Sequence, residues 1–471
     1  MLFNSAAFLW LFLPVVLLVH TPLIRFSVRL ANLFLLIASL LFYIWGSGAL
    51  VVLLGVSVLI DHFAASTAFR GRQRNNQKMV RSAVFVSAMA NVGLLGWFKY
   101  AGFLGRTIDS IAEAFGMGSI AVPSVVLPIG ISFFTFQSMS YTFDVANGKI
   151  EPFRDPLRLL LYVSLFPQLI AGPIVRASDI AEELRHRQVG IDRIGNGFSR
   201  FSWGLAKKVL IADSVAPLVD ASFGADPSTL GAWIAALSYA VQIYFDFSGY
   251  SDMAIGLGMM LGFTFPENFR RPYAAMTVTD FWRRWHITLS SWFRDYLYIP
   301  AGGNRGGPRK TMRNLLLVFF VTGLWHGAAW TFVVWGLWHG SALLIERSFG
   351  ITAETQRPLL RLWTAVIVLG GWVLFRSPDM GVATSMLRAM VLPTGGLRAE
   401  VLDAMTPLTV TALIGGLALA AMPERIRPID LLTDPRVAGG AVRFTLYFFA
   451  LPLVALRVVA ATFSPFLYFQ F

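Results

Sequence analysis

Two histidines in tryptophan-rich segments are the strongest candidates for chemistry in this sequence. His286 lies in the stretch Trp282–Tyr296, and His326 lies in the stretch Gly323–Trp330. The chain contains only six histidines in 471 residues, so these two hold a large share of its acid–base chemistry. His326 also falls inside an apolar run, and an ionisable side chain within a membrane is by default a functional hypothesis.

The apolar run that contains His326 begins at Asn314, twelve residues before it. Twelve residues of α-helix extend about 18 Å, which predicts a position near the middle of a hydrocarbon core about 30 Å thick. A neutral imidazole at that depth can accept a proton, as a general base must. Gly323 and Gly327 would let another backbone or a substrate approach closely. The alternative is a structural histidine that hydrogen-bonds a neighbouring helix.

The residues around His286 predict one amphipathic helix over residues 281–297. Its apolar face carries large side chains at helical spacing, namely Trp282, Trp285, Leu289, Trp292, Phe293 and Tyr296. Arg283, Arg284 and Arg294 occupy much of the remaining surface. One interpretation is an anchor in the membrane interface with an incidental histidine. The other is the cytoplasmic wall of an active site, whose arginines bind the phosphates of an anionic substrate such as coenzyme A.

His339 repeats the Trp-His-Gly pattern thirteen residues after His326. On one straight helix the two side chains would point roughly 140° apart, so they would not share a face. The run 314–347 is also longer than one membrane crossing needs, which predicts a bend or break between the two histidines. His339 is therefore the weaker catalytic candidate, expected to support the site or to lie nearer the external surface.

The composition predicts an all-α polytopic membrane protein. The chain is 56% hydrophobic and 14% charged, with a mean hydropathy of +0.63, whereas charged residues make up about a quarter of a soluble domain. Its apolar runs predict ten to twelve spanning helices, plus partial helices that re-enter the membrane, in a single integral-membrane domain over residues 1–471. The absence of cysteine excludes disulfides, thiolate metal sites and cysteine nucleophiles. We expect no bound metal and no permanently bound cofactor.

The distribution of the net charge of +13 predicts the orientation of the chain. Residues 70–81 hold five basic residues and no acid, and residues 266–313 hold nine basic residues and three acids. Short basic segments of this kind are typical of the cytoplasmic side of a membrane. Since three predicted helices precede residues 70–81, the N-terminus is expected on the periplasmic side. The charge is therefore assigned to topology, and no nucleic-acid partner is expected.

Several blocks of the sequence resemble the membrane-bound O-acyltransferase superfamily, and specifically the bacterial branch of the alginate O-acetyltransferase membrane subunit. Besides the two histidine segments, the similar blocks are Leu127–Gln137, Phe166–Arg176, Trp203–Asp213, Tyr244–Asp252 and Pro266–Pro272. The resemblance covers about residues 1–345, and the C-terminal helices in 346–471 are less distinctive. It implies a ring of tilted helices, with re-entrant and interfacial helices, around a central core where two funnels meet.

By position, the resemblance matches His326 to the family's catalytic histidine and His286 to the second histidine of the bacterial branch. It implies O-acetylation of an exported polysaccharide such as alginate, carried out in the bacterial inner membrane with periplasmic partner proteins that modify the polymer. Acetyl-CoA is the implied donor, with Arg283, Arg284 and Arg294 as candidates to hold its phosphates. The acetyl group could pass directly to a hydroxyl, with His326 as general base, or through an acetyl-His326 intermediate.

Two interpretations from other classes stay open at the level of the sequence. A multi-pass protein with histidine and aspartate inside the membrane could be a secondary transporter with a proton relay. It could also be a scaffold that only anchors an export complex. Asp246, Asp252 and Asn268 lie in the family-like blocks, and either helix capping and pairing or substrate contact would account for them.

Overall fold

All regular structure in the described part of the chain is helical, which confirms the predicted all-α class. The computed structural model describes residues 2–117, 119, 122, 125–224, 227–422, 428–433, 436–460 and 466–467. The end of the predicted C-terminal helices, residues 461–465 and 468–471, lies outside the described residues. The chain divides into two compact units, which are residues 1–198 with 254–266 (unit 1) and residues 199–253 with 267–471 (unit 2). The single domain over residues 1–471 stays a prediction.

The helices follow one another with short connections. The α-helices are α1 Leu13–Phe26, α2 Val28–Ser47, α3 Val51–Gln73, α4 Gln77–Leu95, α5 Ala101–Ala114, α6 Ile131–Ala146, α7 Pro156–Ser164, α8 Ala177–Ile180, α9 Ile191–Ala206, α10 Asp213–Ser222, α11 Thr229–Met260, α12 Val278–Arg284, α13 Ile287–Phe293, α14 Pro308–His326, α15 Trp330–Ser348, α16 Pro358–Arg376, α17 Met380–Val391, α18 Ala399–Ala404, α19 Pro407–Ala421, α20 Pro428–Thr433, α21 Val437–Thr445 and α22 Leu451–Ala460. Short π-helical segments extend them at Phe8–Phe12, Gly96–Tyr100, Lys207–Ala212, Arg294–Tyr298 and Leu446–Ala450. Short 3₁₀ turns are at Gly48–Leu50 and Pro272–Ala274.

Within the part of the chain that the structure describes, six helical segments are long and apolar enough to cross a membrane, so the chain is a multi-pass membrane protein. They are Phe8–Phe26, Val28–Gln73, Gln77–Ala114, Thr229–Met260, Pro358–Arg376 and Gly439–Ala460. This number is smaller than the predicted ten to twelve. One reason is that one of these segments, Val28–Gln73, contains two helices, α2 and α3, which the turn Gly48–Leu50 separates. Another is that α14, which the sequence placed among the spans, carries Arg309, Lys310 and Arg313 in its first two turns.

A buried carboxylate connects three helices of unit 1. Asp61 on α3 accepts hydrogen bonds from the side chains of Asn91 at 2.7 Å, Ser138 at 2.5 Å and Thr142 at 2.8 Å, and also from Ser87. These donors lie on α4 and α6. A buried carboxylate must be hydrogen-bonded to be tolerated, so Asp61 ties three helices of unit 1 together.

In unit 2, α14 and α15 form an antiparallel hairpin that depends on glycine. A Cβ atom placed on Gly323 would lie 2.3 Å from the backbone oxygen of Phe332, and one on Gly336 would lie 2.2 Å from that of Phe319. Both distances are far below the 3.4 Å of an ordinary contact. The two helix backbones therefore approach as closely as glycine permits. The close approach predicted at Gly323 is confirmed.

A second close pair of glycines joins α9 to α11 in unit 2. A Cβ on Gly204 would lie 2.5 Å from the backbone oxygen of Gly249, and one on Gly249 would lie 2.8 Å from that of Gly204. The contact brings the π-helical turn Lys207–Ala212 against α11, where the Lys207 ammonium donates to Ser248 Oγ at 2.9 Å. Small residues at this crossing thus position charged side chains inside the unit.

Candidate active site

His286 lies at a break between two short helices. Helix α12 ends at Arg284, and α13 begins at Ile287. The backbone of His286 between them has φ 43° and ψ 54°, in the left-handed region that non-glycine residues rarely adopt. The predicted single helix over residues 281–297 is therefore wrong. The break turns the imidazole into the interior, where its exposed fraction is 0%.

The strained backbone at His286 is held by Asn268. The amide of Ile287 donates to the Asn268 carbonyl oxygen at 3.0 Å. The amide and the hydroxyl of Thr288 donate to Asn268 Oδ1 at 3.3 and 2.9 Å. The side chain of Asn268, itself fully buried, also donates to Ser251 Oγ at 3.2 Å. A backbone in this region costs about 1–3 kcal/mol, and these hydrogen bonds offset that cost.

The large aromatic side chains of this segment are buried within unit 2. Trp282, Trp285 and Trp292 are exposed by only 8%, 1% and 6%, which does not fit the interpretation of the segment as an interfacial anchor. Burial also lowers the pKa of His286 to about 3. Since the ordinary value is 6.5, the ring is neutral near pH 7.

His326 is the last residue of α14. Gly327 follows in extended conformation, and α15 begins at Trp330. The predicted break between His326 and His339 is thus confirmed, and it lies directly after His326. Helix α14 therefore ends at His326, and the chain reverses direction before α15 begins. The side chain is 3% exposed.

The structure brings His286 and His326 together. Their ring centroids are 6.4 Å apart. Trp325 lies beside both, with its ring 5.9 Å from that of His286 and 4.9 Å from that of His326. Phe247 closes the other side of His286 at 4.7 Å. The two imidazoles therefore share one aromatic, buried environment, in which electrostatic interactions are stronger than in water.

Two further aromatic rings fix the orientation of His326. Trp335 on α15 and Phe375 on α16 meet its imidazole edge to face, at centroid distances of 4.9 and 5.3 Å. Edge-to-face packing is a favoured arrangement of aromatic rings. Three helices of unit 2 therefore determine where this imidazole points.

His339 lies behind this pair on α15. Its ring is 5.4 Å from that of Trp335 and 5.1 Å from that of Trp282. Helix α16 passes so close that a Cβ on Gly371 would lie 2.4 Å from His339 Nε2. Trp335 thus contacts both His326 and His339, while the supporting role of His339 stays a prediction.

The three candidate arginines each bind a carboxylate. Arg283 pairs with Glu354 at 2.6 Å, and both side chains are exposed by more than 60%. Arg294, also exposed, pairs with the neighbouring Asp295 at 2.7 Å. Arg284 is less exposed and pairs with Asp280 one helical turn earlier at 2.8 Å. A phosphate would therefore have to replace a carboxylate at each of the three.

Near Asn268, the structure contains a buried ionic network that the sequence reasoning missed. Arg200 pairs with Glu267 at 2.6 Å and with Asp252 at 2.8 Å, and Lys207 pairs with Asp252 at 2.6 Å. Glu267 precedes Asn268 in the chain, so the network anchors the loop that braces His286. The ion pairs of Asp252 join α11 to α9 and the turn that follows it, which corresponds to the helix-pairing alternative.

A second ionic cluster surrounds Lys208, which is 2% exposed. Its ammonium pairs with Asp213 at 2.8 Å and also with Asp246. Asp246 accepts a further hydrogen bond from the amide of Leu467 at 2.9 Å. The adjacent pair Lys207-Lys208 within an apolar stretch was the available signal, because buried lysines are rarely found without partners.

The arrangement around His286 and His326 is suited to acyl transfer. It offers two buried imidazoles, one able to act as a base and the other as a hydrogen-bond partner. Among the described residues, no group of three or more histidine, cysteine, aspartate or glutamate side chains could hold a metal ion.

The residues of this site all lie in the part of the chain that is similar to known proteins. A model of the membrane-bound O-acyltransferase family matches residues 130–375. The chain is 40% identical to "Probable alginate O-acetylase AlgI" of Azotobacter vinelandii, over all of both chains. It is 45% identical to the protein of the same name from Pseudomonas aeruginosa, over 83% of this chain and 75% of that one. It is 38% identical to "Peptidoglycan O-acetyltransferase" of Helicobacter pylori, over 83% of this chain and 80% of that one.

Proposed function

Since the chain belongs to the membrane-bound O-acyltransferase family, in its alginate O-acetylase branch, and is a membrane-embedded O-acyltransferase, we propose that it moves acetyl groups from cytoplasmic acetyl-CoA to a hydroxyl acceptor. The final product is an O-acetylated exported polysaccharide such as alginate. A role limited to transport or scaffolding does not fit this family membership.

The observation that carries the proposal is the buried pair of histidines. His286 and His326 lie 6.4 Å apart between ring centroids and inside the part of the chain that matches the family model. Each is held by dedicated structure, His286 by Asn268 and His326 by the glycine hairpin of α14 and α15. Such pre-positioning is what a catalytic pair requires.

In the proposed reaction, His326 is the general base. It accepts the proton of the acceptor hydroxyl while the oxygen attacks the carbonyl carbon of the acetyl thioester. The carbon–sulfur bond then breaks, and the proton passes from His326 to the departing thiolate of coenzyme A. His286, neutral at pH 7, donates a hydrogen bond to the carbonyl oxygen as negative charge develops there.

Arg283, Arg284 and Arg294 are the proposed phosphate-binding residues for the donor. The pair of Arg283 with Glu354 is exposed on both sides, and Arg294 is exposed although its partner Asp295 is only 19% exposed; an exposed ion pair contributes only about 0–1 kcal/mol. A diphosphate, which accepts bidentate hydrogen bonds from guanidinium groups, can displace carboxylates held this weakly. This supports the proposed donor site.

The proposed partners act on the far side of the membrane. The relatives are named for the acetylation of two different polymers, alginate and peptidoglycan, which supports an extracytoplasmic carbohydrate as the final acceptor. We therefore propose a bacterial inner-membrane location with the N-terminus in the periplasm, and periplasmic polymer-modifying proteins as partners. The basic residues 70–81 support this orientation.

Cells that lack the native protein provide the test of the catalytic assignment. They are complemented with wild type, His326→Ala, His326→Gln or His186→Ala, and polymer acetyl esters and membrane abundance are measured. His186 is the matched control, because its side chain is 81% exposed and lies in unit 1. We expect no acetyl esters from either His326 variant at normal abundance, and wild-type acetylation from His186→Ala. Normal acetylation by His326→Gln would refute the assignment.

The donor requires a second experiment. Purified protein in lipid nanodiscs is incubated with [¹⁴C-acetyl]-CoA and a soluble acceptor, and acetyl transfer is measured in the wild type and in His326→Gln. The proposal expects transfer that depends on His326. If acetyl phosphate supports transfer and acetyl-CoA does not, the proposed donor is wrong, while the family assignment is unaffected.

A further inference from the structure

Unit 1 contains a large cleft whose rim is rich in arginine. The cavity has a volume of about 870 Å³. It is bounded by the first turns of α2, by the loop before α7, by α7 itself and by residues 184–185. Arg29, Arg154, Arg158 and Arg185 line it, together with two acids, Glu151 and Asp155. The lining therefore carries a net charge of +2.

The four arginines are available to a ligand. Among the described residues, none of their guanidinium groups forms a hydrogen bond or an ion pair, in contrast to those of Arg72 and Arg187 in the same unit. The Asp155 carboxylate is already engaged, because it accepts a hydrogen bond from the amide of Leu157 at 2.9 Å and caps α7. The cleft thus presents four guanidinium groups that form no ion pair with a carboxylate of the described residues.

One wall of the cleft is held firmly in place. Asn32 on α2 donates to the carbonyl oxygen of Leu184 at 2.8 Å, and it accepts from Arg187 at 2.6 Å. Arg187 also donates to the carbonyl oxygen of Leu261 at 3.1 Å. These bonds tie residues 184–187 to α2, so the position of Arg185 at the rim does not depend on a ligand.

The floor of the cleft is apolar and continues into a stripe along α2. Leu33 and Leu36 line the cavity. From there, exposed side chains follow at helical spacing on α2, with Leu33 48%, Ile37 50% and Leu41 59% exposed. Helix α2 belongs to a segment that is long and apolar enough to span the membrane. This stripe is therefore a surface for hydrocarbon chains.

We propose that the cleft binds one anionic glycerophospholipid, with its phosphate among the four arginines and an acyl chain along Leu33, Ile37 and Leu41. Basic pockets beside spanning helices are suited to such headgroups, because several guanidinium groups can share one phosphate. A soluble phosphate ester would fit the arginines but would leave the apolar stripe uncovered. The site lies in unit 1, whereas the histidine pair lies in unit 2, and the proposal does not depend on the acyl-transfer mechanism.

The first test is lipid binding by the full-length protein in detergent, measured by native mass spectrometry. The probes are dioleoylphosphatidylglycerol and, as the neutral comparison, dioleoylphosphatidylcholine. The variant Arg154→Gln/Arg158→Gln removes two charges from the cleft. Arg74→Gln/Arg81→Gln is the matched control, since it removes two charges from the exposed basic segment 70–81, away from the cleft lining.

We expect the wild type and the control to bind one phosphatidylglycerol in preference to phosphatidylcholine. Each basic residue beside an anionic lipid contributes about five-fold to the binding constant, so the cleft variant should bind about thirty-fold more weakly. Arg154→Lys/Arg158→Lys retains the charge and should bind nearly as well as wild type. The lysine pair and the single variant Arg29→Gln keep the test valid if the glutamine pair fails to fold.

Three results would overturn the proposal. Equal binding of the two lipids would remove the role of the phosphate charge. An equal loss in the cleft variant and in the control would assign the effect to general surface charge. Complete displacement of the lipid by a ten-fold excess of glycerol 3-phosphate would make the cleft a site for soluble phosphate esters, because the acyl chain would then contribute nothing.

Discussion

Replacing Gly323 with alanine should slow acetyl transfer roughly 10²-fold without altering either candidate histidine, His286 or His326. The Cβ atom of alanine would lie 2.3 Å from the backbone oxygen of Phe332, whereas ordinary contacts begin at 3.4 Å. The obstacle is main chain, so no side chain can rotate away. Helices α14 and α15 must therefore separate by about 1 Å, and His326 is the last residue of α14, three residues beyond the substitution.

The expected magnitude follows from this displacement. A misplacement of about 1 Å at a catalytic group costs roughly 10²-fold in rate. Overpacking in a well-packed core costs about 1–3 kcal/mol of stability, which reduces abundance without abolishing folding. Gly323→Ala should thus lower kcat much more than it lowers the amount of protein in the membrane. Gly336→Ala, with its Cβ 2.2 Å from the backbone oxygen of Phe319, should behave in the same way from the opposite side of the hairpin.

The assay is acetyl transfer per mole of purified protein, alongside the thermal unfolding midpoint of each variant. Gly415→Ala on α19 is the control, because no atom lies within 4 Å of the position its Cβ would take. It should match the wild type in both measurements. If Gly323→Ala retains wild-type kcat, the position of His326 does not depend on the hairpin, and the assignment of His326 as a pre-positioned base loses its structural support.

Other substitutions test the surroundings of the site. Asn268→Ala should lower kcat by roughly ten-fold or more, because it releases the backbone of His286; Asn268→Asp, which keeps the acceptor oxygen, should restore part of the rate. His286→Gln should remove a pH dependence of the free energy of unfolding. The histidine of the unfolded chain binds a proton near pH 6.5, and the folded site does so only near pH 3, so the wild type loses about 2 kcal/mol of stability between pH 7 and 5. The unfolding midpoint of the wild type should therefore fall further over this pH range than that of the variant. Lys208→Met should destabilise the protein by about 3–5 kcal/mol, because it leaves buried carboxylates without their cation, and adding Asp246→Asn should recover part of the membrane abundance. Arg283→Gln should raise KM for acetyl-CoA about ten-fold with kcat unchanged, and an unchanged KM would remove Arg283 from the donor site.

The sequence was sufficient to find both histidines, because ionisable side chains are conspicuous in apolar surroundings. It also predicted the break after His326, since the apolar run was too long for one crossing. It did not predict the break at His286. The large side chains from Trp282 to Tyr296 keep a helical spacing across the break, so periodicity alone favours one helix. The left-handed backbone depends on hydrogen bonds that Ile287 and Thr288 donate to Asn268, eighteen residues before His286. Contacts over that distance in the sequence leave no trace in a local pattern.

The ionic network could be predicted only in part for the same reason. Lys207 and Lys208 stand out in an apolar stretch, which indicates buried partners. The choice of Asp246 and Asp252 as those partners depends on the crossing of α9 with α11, and that crossing is set by Gly204 and Gly249. Glycines of this kind are common in membrane helices, so the sequence alone does not show which of them meet.

The positions of these charges explain what the blocks Tyr244–Asp252 and Pro266–Pro272 do in this fold. Two interactions join helix α11 to the loop of residues 267–268. Arg200 pairs with both Asp252 and Glu267, and the Asn268 side chain donates a hydrogen bond to Ser251 Oγ. Ion pairs that are largely buried contribute little net stability, because desolvation offsets their attraction, and in some proteins their main effect is to specify one register. A shift of this loop by one residue would move Asn268 away from Thr288 and release His286. Asp252 and Asn268 therefore both contribute to the placement of the His286 imidazole in this fold.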